Sequence, residues 1–161
     1  MRKAISYRRS DDRECPAPAA TVTLDSHARH LRRRRLVLDD GNAMMVDLAE
    51  AVALADGDTL VLDDGSEVCV RAASQALYVV AGRSAAHLAE LAWHIGNRHL
   101  PAEIGESRIF IERDHVVRAM LEGLGATVEE AHEAFTPVRG AYHHSHYGAH
   151  DSHHTDHAAG D

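Results

Sequence analysis

Apolar residues recur with two different periods along this chain, and the change near Ser74 divides it. Before that point lie short β-branched or apolar runs: Thr21 to Leu24, Arg33 to Leu38, Met44 to Leu48, Thr59 to Leu62 and Glu67 to Arg71. They are separated by Asp40-Gly41, Asp56-Gly57 and Asp64-Gly65, dipeptides that favour tight reversals because both residues tolerate positive φ. Short strands at regular spacing predict a small sandwich or barrel over residues 1–73. Beyond Ser74, Gln75 to Ala81 reads as a strand. Ser84 then caps a helix whose Leu88, Leu91, Ala92 and Ile95 recur at helical spacing, ending at Gly96. A short strand near Ala102 to Ile104 is followed by Ser107 to Glu112, with Ile109 and Ile111 on one face. Asp114 caps a second helix carrying Val117, Met120, Leu121 and Leu124, its end marked by Gly123 and Gly125, and Thr127 to Phe135 supplies a last strand. The order βαββαβ over 74–142 is the ferredoxin-like split unit, helices on one face of an antiparallel sheet. From His143 the chain is too polar to bury a core, and 143–161 is expected to be disordered without metal. The predicted class is α+β: a small N-terminal all-β domain, a ferredoxin-like βαββαβ domain and a disordered His-rich tail.

Composition adds the chemistry. The tail reads HHSHYGAHDSHHTDHAAGD and holds seven histidines: His143, His144, His146, His150, His153, His154 and His157. Imidazole suits nickel, zinc and copper, and a flexible chain can wrap several rings around one ion, with Asp151 and Asp156 as further oxygen donors. The interleaved Ser, Tyr, Gly, Asp and Thr distinguish this stretch from the unbroken run of a purification tag. The pattern does not select a metal; by the divalent affinity order copper would outcompete nickel and zinc. The formal charge moves from −8 with neutral histidines to +6 with all 14 protonated, so metal binding is expected to weaken in acid as protons take the same lone pairs.

Within the folded part, Trp93-His94-Ile95-Gly96-Asn97-Arg98-His99 joins the first helix to a turn before Pro101. His94, near a helix C-terminus, can serve as a ligand or merely as a dipole partner. His99 lies past the helix, where its ring is free to leave the core, and is the better candidate. One imidazole holds a divalent ion poorly, so His99 calls for a second copy across a two-fold axis. His115, at the first turn of the second helix, could reach the same region. His87 reads as a surface residue, and His27, His30 and His132 as structural or solvated.

Other classes find little support. Arg32-Arg33-Arg34-Arg35 would split between the two faces of a strand in an acidic chain without aromatic interleaving, which favours a solvated edge strand over a nucleic-acid surface. No apolar run approaches a membrane span, and the N-terminus lacks a signal-peptide core, so a cytoplasmic protein is expected. Cys15 and Cys69 lack CxxC spacing, which argues against a disulfide framework or zinc knuckle and makes Cys69 a core residue. No nucleophile and base can be paired, so the chain is not expected to be an enzyme. On residues alone, a metal buffer or storage protein without a client and a general peptide-binding chaperone also stand.

Several elements taken in order resemble the urease accessory nickel metallochaperone family, UreE. They are Leu60-Val61-Leu62-Asp63-Asp64-Gly65 after Asp56-Gly57-Asp58, His94-Ile95-Gly96-Asn97-Arg98-His99 before Pro101, Asp114-His115-Val116 with Met120-Leu121 and Leu124-Gly125, Phe135-Thr136-Pro137 with Gly140-Ala141-Tyr142, and the His-rich tail. The resemblance implies an N-terminal domain that binds peptide or partner protein. It also implies a cytoplasmic homodimer carrying Ni(II) as cargo to apo-urease, with Zn(II) or Cu(II) as other ions the site could take. Its partners would be the urease apoprotein and accessory proteins including a GTPase. His99 matches the family's principal ligand, paired with its symmetry mate, His94 belongs to the same motif, and His115 matches an auxiliary histidine of some members. Arg113 stands where certain members carry another histidine, a departure that moves weight onto the tail.

Overall fold

The computed structural model describes residues 1–10, 15 and 18–139. The tail histidines, and the disorder expected of 143–161, therefore lie outside the described residues, as does Gly140-Ala141-Tyr142. The N-terminal half comprises β1 (Arg2–Arg8), β2 (Ala20–Leu24), β3 (His30–Val37), β4 (Ala43–Ala53), β5 (Thr59–Leu62) and β6 (Glu67–Ala72). These form one six-stranded sheet in the order β2-β6-β5-β1-β4-β3. The two reversals joining antiparallel neighbours carry glycines at positive φ, Gly41 at 85° between β3 and β4 and Gly65 at 81° between β5 and β6. Ala4, Val22, Leu36, Met44, Val46, Leu60, Leu62 and Val68 are buried together in its core.

The sheet's two edges meet just past β3. The Asp39 N–H donates to the Thr21 carbonyl at 2.9 Å, and the Asp39 carboxylate accepts from the Thr21 and Thr23 hydroxyls at 2.8 and 2.9 Å. Partial burial works against charge on Asp39, yet the hydrogen bonds from Thr21 and Thr23 hold its carboxyl below the usual range. β3 is an edge strand with all four arginines exposed. Arg33 pairs with Asp47 at 3.1 Å, and Asp47 also takes Lys3 at 2.6 Å.

β1 is a strand that the hydrophobic pattern did not predict. It runs parallel to β4 (Arg2 beside Met44, Ala4 beside Val46) and antiparallel to β5 (Ala4 beside Leu62), so it is central to the sheet. Ala4 is its only buried residue, while Ile5 and Tyr7 are exposed. A bulge between Ala4 and Ser6 breaks the alternation that would have revealed it. The expectation about the cysteines also requires correction. Cys69 is fully buried, as a core residue should be, but it is disulfide-bonded to Cys15. A separation of 54 residues hides the pair from motif spacing.

The C-terminal half follows the predicted order: β7 (Ser74–Ala81), α1 (Ala85–Asn97), β8 (Ala102–Ile104), β9 (Arg108–Glu112), α2 (His115–Gly123) and β10 (Thr127–Ala134). The strands lie β10-β7-β9-β8, all antiparallel, the split βαβ arrangement. The Ser84 hydroxyl accepts from the His87 N–H, and the Asp114 carboxylate accepts from the Val116 and Val117 N–H groups, so both caps form. Leu88, Leu91 and Ile95 of α1 and Val117 and Leu121 of α2 are buried with Tyr78, Val80, Ile109, Ile111 and Val128 of the sheet. No helix among the described residues is long and apolar enough to cross a membrane.

Arg29 joins the two halves. Its buried guanidinium donates to the carbonyls of Leu54 and Leu24 at 3.1 and 3.0 Å and to that of Phe135 beyond β10. Burial pulls its pKa down, opposed by the charges of Asp56, Asp25, Glu103 and Asp58. The Ser26 N–H reaches Gln75 Oε1 at 2.8 Å, and Arg139 reaches the buried Asp58 at 3.5 Å.

Candidate metal centre

The end of α1 is closed by a Schellman motif: the His99 N–H donates to the Gly96 carbonyl at 3.0 Å and the Leu100 N–H to that of Ile95 at 3.4 Å. The position following the C-cap in that motif is left-handed and is usually glycine. Here it is His99, at φ 58°, the only non-glycine residue with positive φ among the described residues. A side chain in this region costs about 1–2 kcal/mol relative to the ordinary conformation, and backbone strain of this kind concentrates at functional positions. The turn leaves His99 exposed beyond the helix. Its ring is thus aimed away from its own core by a fixed backbone geometry.

The register places the exit of α1 and the entry of α2 at one end of the sheet. β8 begins at Ala102, beside Ile111 near the end of β9, and α2 begins four residues after Ile111. His99 and His115 therefore share that end, and His115 is exposed at the first position of α2. Among the described residues no group of three or more His, Cys, Asp or Glu side chains is placed to hold an ion. His94 is half-buried, its ring edge-on to Trp93 with centroids 5.1 Å apart. Trp93 itself is 65% exposed, as is Val116 in the first turn of α2. Large apolar side chains left in water beside the candidate ligands were not anticipated from helical periodicity, which accounted only for the buried face of each helix.

Arg113 has a structural assignment. Its guanidinium donates to the carbonyls of Leu77 and Ala131 at 3.1 and 3.0 Å, tying β7 to β10. A cation committed in this way cannot be replaced by a metal-binding ring without opening that tie.

His87, read from the sequence as a surface residue, is buried. Its Nδ1 accepts from the Arg83 N–H and its Nε2 faces the Leu124 carbonyl, both at 2.9 Å. These partners fix the neutral tautomer with its proton on Nε2 and occupy both ring nitrogens. The missed signal is positional: His87 sits one residue before Leu88 on the same buried flank, where α1 meets the end of α2. Substituting His87 by Leu is expected to destabilise the fold by about 2–3 kcal/mol, because an N–H and a carbonyl lose their partners. Urea unfolding would measure this; a change within about 0.5 kcal/mol would show that the bridge carries no weight. Elsewhere among the described residues, His27 pairs with Glu112 at 3.0 Å and His132 with the Ser74 hydroxyl at 3.2 Å.

Comparison with known proteins agrees with this architecture. The UreE urease accessory protein N-terminal domain matches residues 3–73 and the C-terminal domain residues 75–160. Urease accessory protein UreE 1 of Brucella suis biovar 1 (strain 1330) is 53% identical over 142 residues, 88% of each chain. The UreE protein of Rhizobium meliloti (strain 1021) is 55% identical over 137 residues, covering 85% of this chain and 89% of the relative. That of Sinorhizobium fredii (strain NBRC 101917 / NGR234) is 59% identical over 127 residues, 79% and 80% of the two chains. With both domain matches in sequence order and relatives aligned over most of their length, this chain belongs to the UreE family of urease accessory proteins.

Proposed function

We propose that this protein is a non-catalytic nickel carrier that delivers Ni(II) to apo-urease as its active site is assembled. The observation that carries the reading is His99, an exposed imidazole held at positive φ with too few donors around it among the described residues to complete a site. Two such rings facing each other across a two-fold axis would supply half of a coordination shell and leave the rest to water or tail histidines. An incomplete shell suits a carrier, because a partner's ligands can enter before the ion leaves. The exposed Trp93 and Val116 on the neighbouring helices are the apolar surface that a homodimer would bury beside that axis.

On this reading His94 and His115 are auxiliary, and the tail, His143, His144, His146, His150, His153, His154 and His157, captures nickel and feeds the shared site. The protein works in the cytoplasm, residues 74–142 hold the dimer and its metal, and residues 1–73 meet the client or the accessory proteins. The GTPase among those proteins is the immediate recipient. Zinc and copper compete for the same rings, and availability selects nickel.

His99→Ala is expected to cut urease activation severely in an assay reconstituted from apo-urease, the accessory proteins and limiting nickel. Full activation would remove His99 from the mechanism. Ending the chain at Tyr142 is expected to lower the number of ions bound while preserving the dimer, measured by equilibrium dialysis and by mass in solution. Unchanged stoichiometry would contradict the role given to the tail.

A further inference from the structure

The N-terminal sheet ends on one side at β3, with no strand beyond it among the described residues. Leu31 and Leu36 are buried in the core and fix that strand in place, while Arg32, Arg33, Arg34 and Arg35 are all exposed. Two of the four are committed. Arg33 pairs with Asp47, and the Arg32 Nε donates to the Leu48 carbonyl at 3.5 Å. Arg34 and Arg35 meet no carboxylate among the described residues, in a chain whose net charge is −8.

Register decides what surrounds these two side chains. Arg35 stands beside Met45 of β4, which stands beside Lys3 of β1, so one row of the outer face has two cations flanking a half-buried methionine. Val37, 57% exposed, follows Arg35 on that face. Arg34 stands beside the buried Val46 on the core-facing side, yet is itself exposed because the sheet ends there.

An edge strand presents unpaired backbone N–H and C=O groups, and positive charge along it is commonly a guard against pairing with another edge. That guard acts selectively. A second copy laid antiparallel along β3 with Arg33 opposite Arg34 would also set Arg32 opposite Arg35, like charge against like at every arginine. The same charges attract a strand of opposite sign, whose carboxylates can take guanidinium groups that hold no other anion.

We propose that the β3 edge takes up an extended acidic segment of a partner protein, which adds a strand beside His30–Val37 and sets its carboxylates on Arg34 and Arg35. Apolar side chains alternating with those carboxylates lie against Val37 and Met45. That the partner is the client or an accessory protein rests on the role proposed above for residues 1–73, whereas the edge itself can be tested with a peptide.

The probe is a fluorescein-labelled ten-residue peptide alternating Glu and Val, titrated with the full chain and followed by anisotropy at low and high salt. Its controls are a Lys-Val peptide, the acidic peptide N-methylated throughout its backbone, and a ten-nucleotide single-stranded DNA. The acidic peptide is expected to bind, more weakly at high salt, and to slow hydrogen exchange at the amides of β3. Arg34→Glu combined with Arg35→Glu should weaken binding about tenfold or more without moving the melting temperature, and Arg34→Lys with Arg35→Lys should retain most of it. No binding, binding that survives the charge reversal, or equal binding of the methylated or the Lys-Val peptide would overturn the proposal. Tighter binding of the DNA would overturn it in favour of a nucleic-acid surface. Reconstituted urease activation keeps the two readings apart: a charge-reversed chain that loses the peptide but activates fully would leave the edge standing and remove the role given to residues 1–73.

Discussion

Replacing His99 with glycine is expected to strengthen the fold and abolish the nickel binding proposed for the shared His99 pair in one step. The residue occupies the left-handed position of a helix-terminating motif whose two hydrogen bonds are made by backbone groups alone. Glycine makes the same bonds without the steric cost of a Cβ, so stability should rise by about 1 kcal/mol. The imidazole, exposed and outside both cores, gives up little packing when it goes. Most substitutions at a ligand leave doubt about whether function was lost through unfolding; this one excludes that explanation by its sign. Urea unfolding and nickel binding, measured on the chain ending at Tyr142, would show the two effects together. A fall in stability would mean that the ring is held by its surroundings, and the backbone strain would then have no functional meaning.

The second large effect is expected at Arg29. Methionine at this position would take the charged donor from the carbonyls of Leu24, Leu54 and Phe135, of which that of Leu24 keeps the Ala73 N–H at 2.8 Å. Losing a buried, charge-assisted set of hydrogen bonds should cost about 3 kcal/mol or more. Two of those carbonyls belong to the N-terminal half, and the third follows the last strand of the C-terminal half, so cooperation between the halves should weaken as well. Calorimetric unfolding of Arg29→Met is expected to separate into two transitions. A single transition within about 0.5 kcal/mol of the parent would show that the guanidinium is dispensable to the junction.

Neither residue was equally visible in the sequence. His99 stood out because it follows a helix with clear 3.6-residue periodicity and precedes Pro101, so its place past the helix end could be read directly. Its positive φ could not, since nothing in the neighbouring residues distinguishes a Schellman turn with His from a frayed end. Arg29 gave no signal, because its partners are backbone carbonyls scattered from Leu24 to Phe135 and its burial depends on two halves meeting. The same holds for Cys15 and Cys69, which pair across a separation of 54 residues that no local pattern reports. The C-terminal elements were legible almost residue by residue, as alternation at Ile109 and Ile111 and capping at Ser84 and Asp114 are local properties. β1 was not, because its neighbours in the sheet supply the apolar surface and the strand itself contributes only Ala4 to the core.

If two copies of His99 complete a metal site, nickel titration by calorimetry will register its loss with the ring. Three proteins would be compared, with mass in solution recorded for each: the full chain, the chain ending at Tyr142, and that shorter chain carrying His99→Gly. The shorter chain is expected to be a dimer holding about one nickel ion per dimer, the stoichiometry of a site on a two-fold axis, and the glycine variant to remain a dimer and hold none. A shorter chain that binds no nickel would leave the tail as the carrier of metal, and a glycine variant that binds it undiminished would place the ion on residues other than His99.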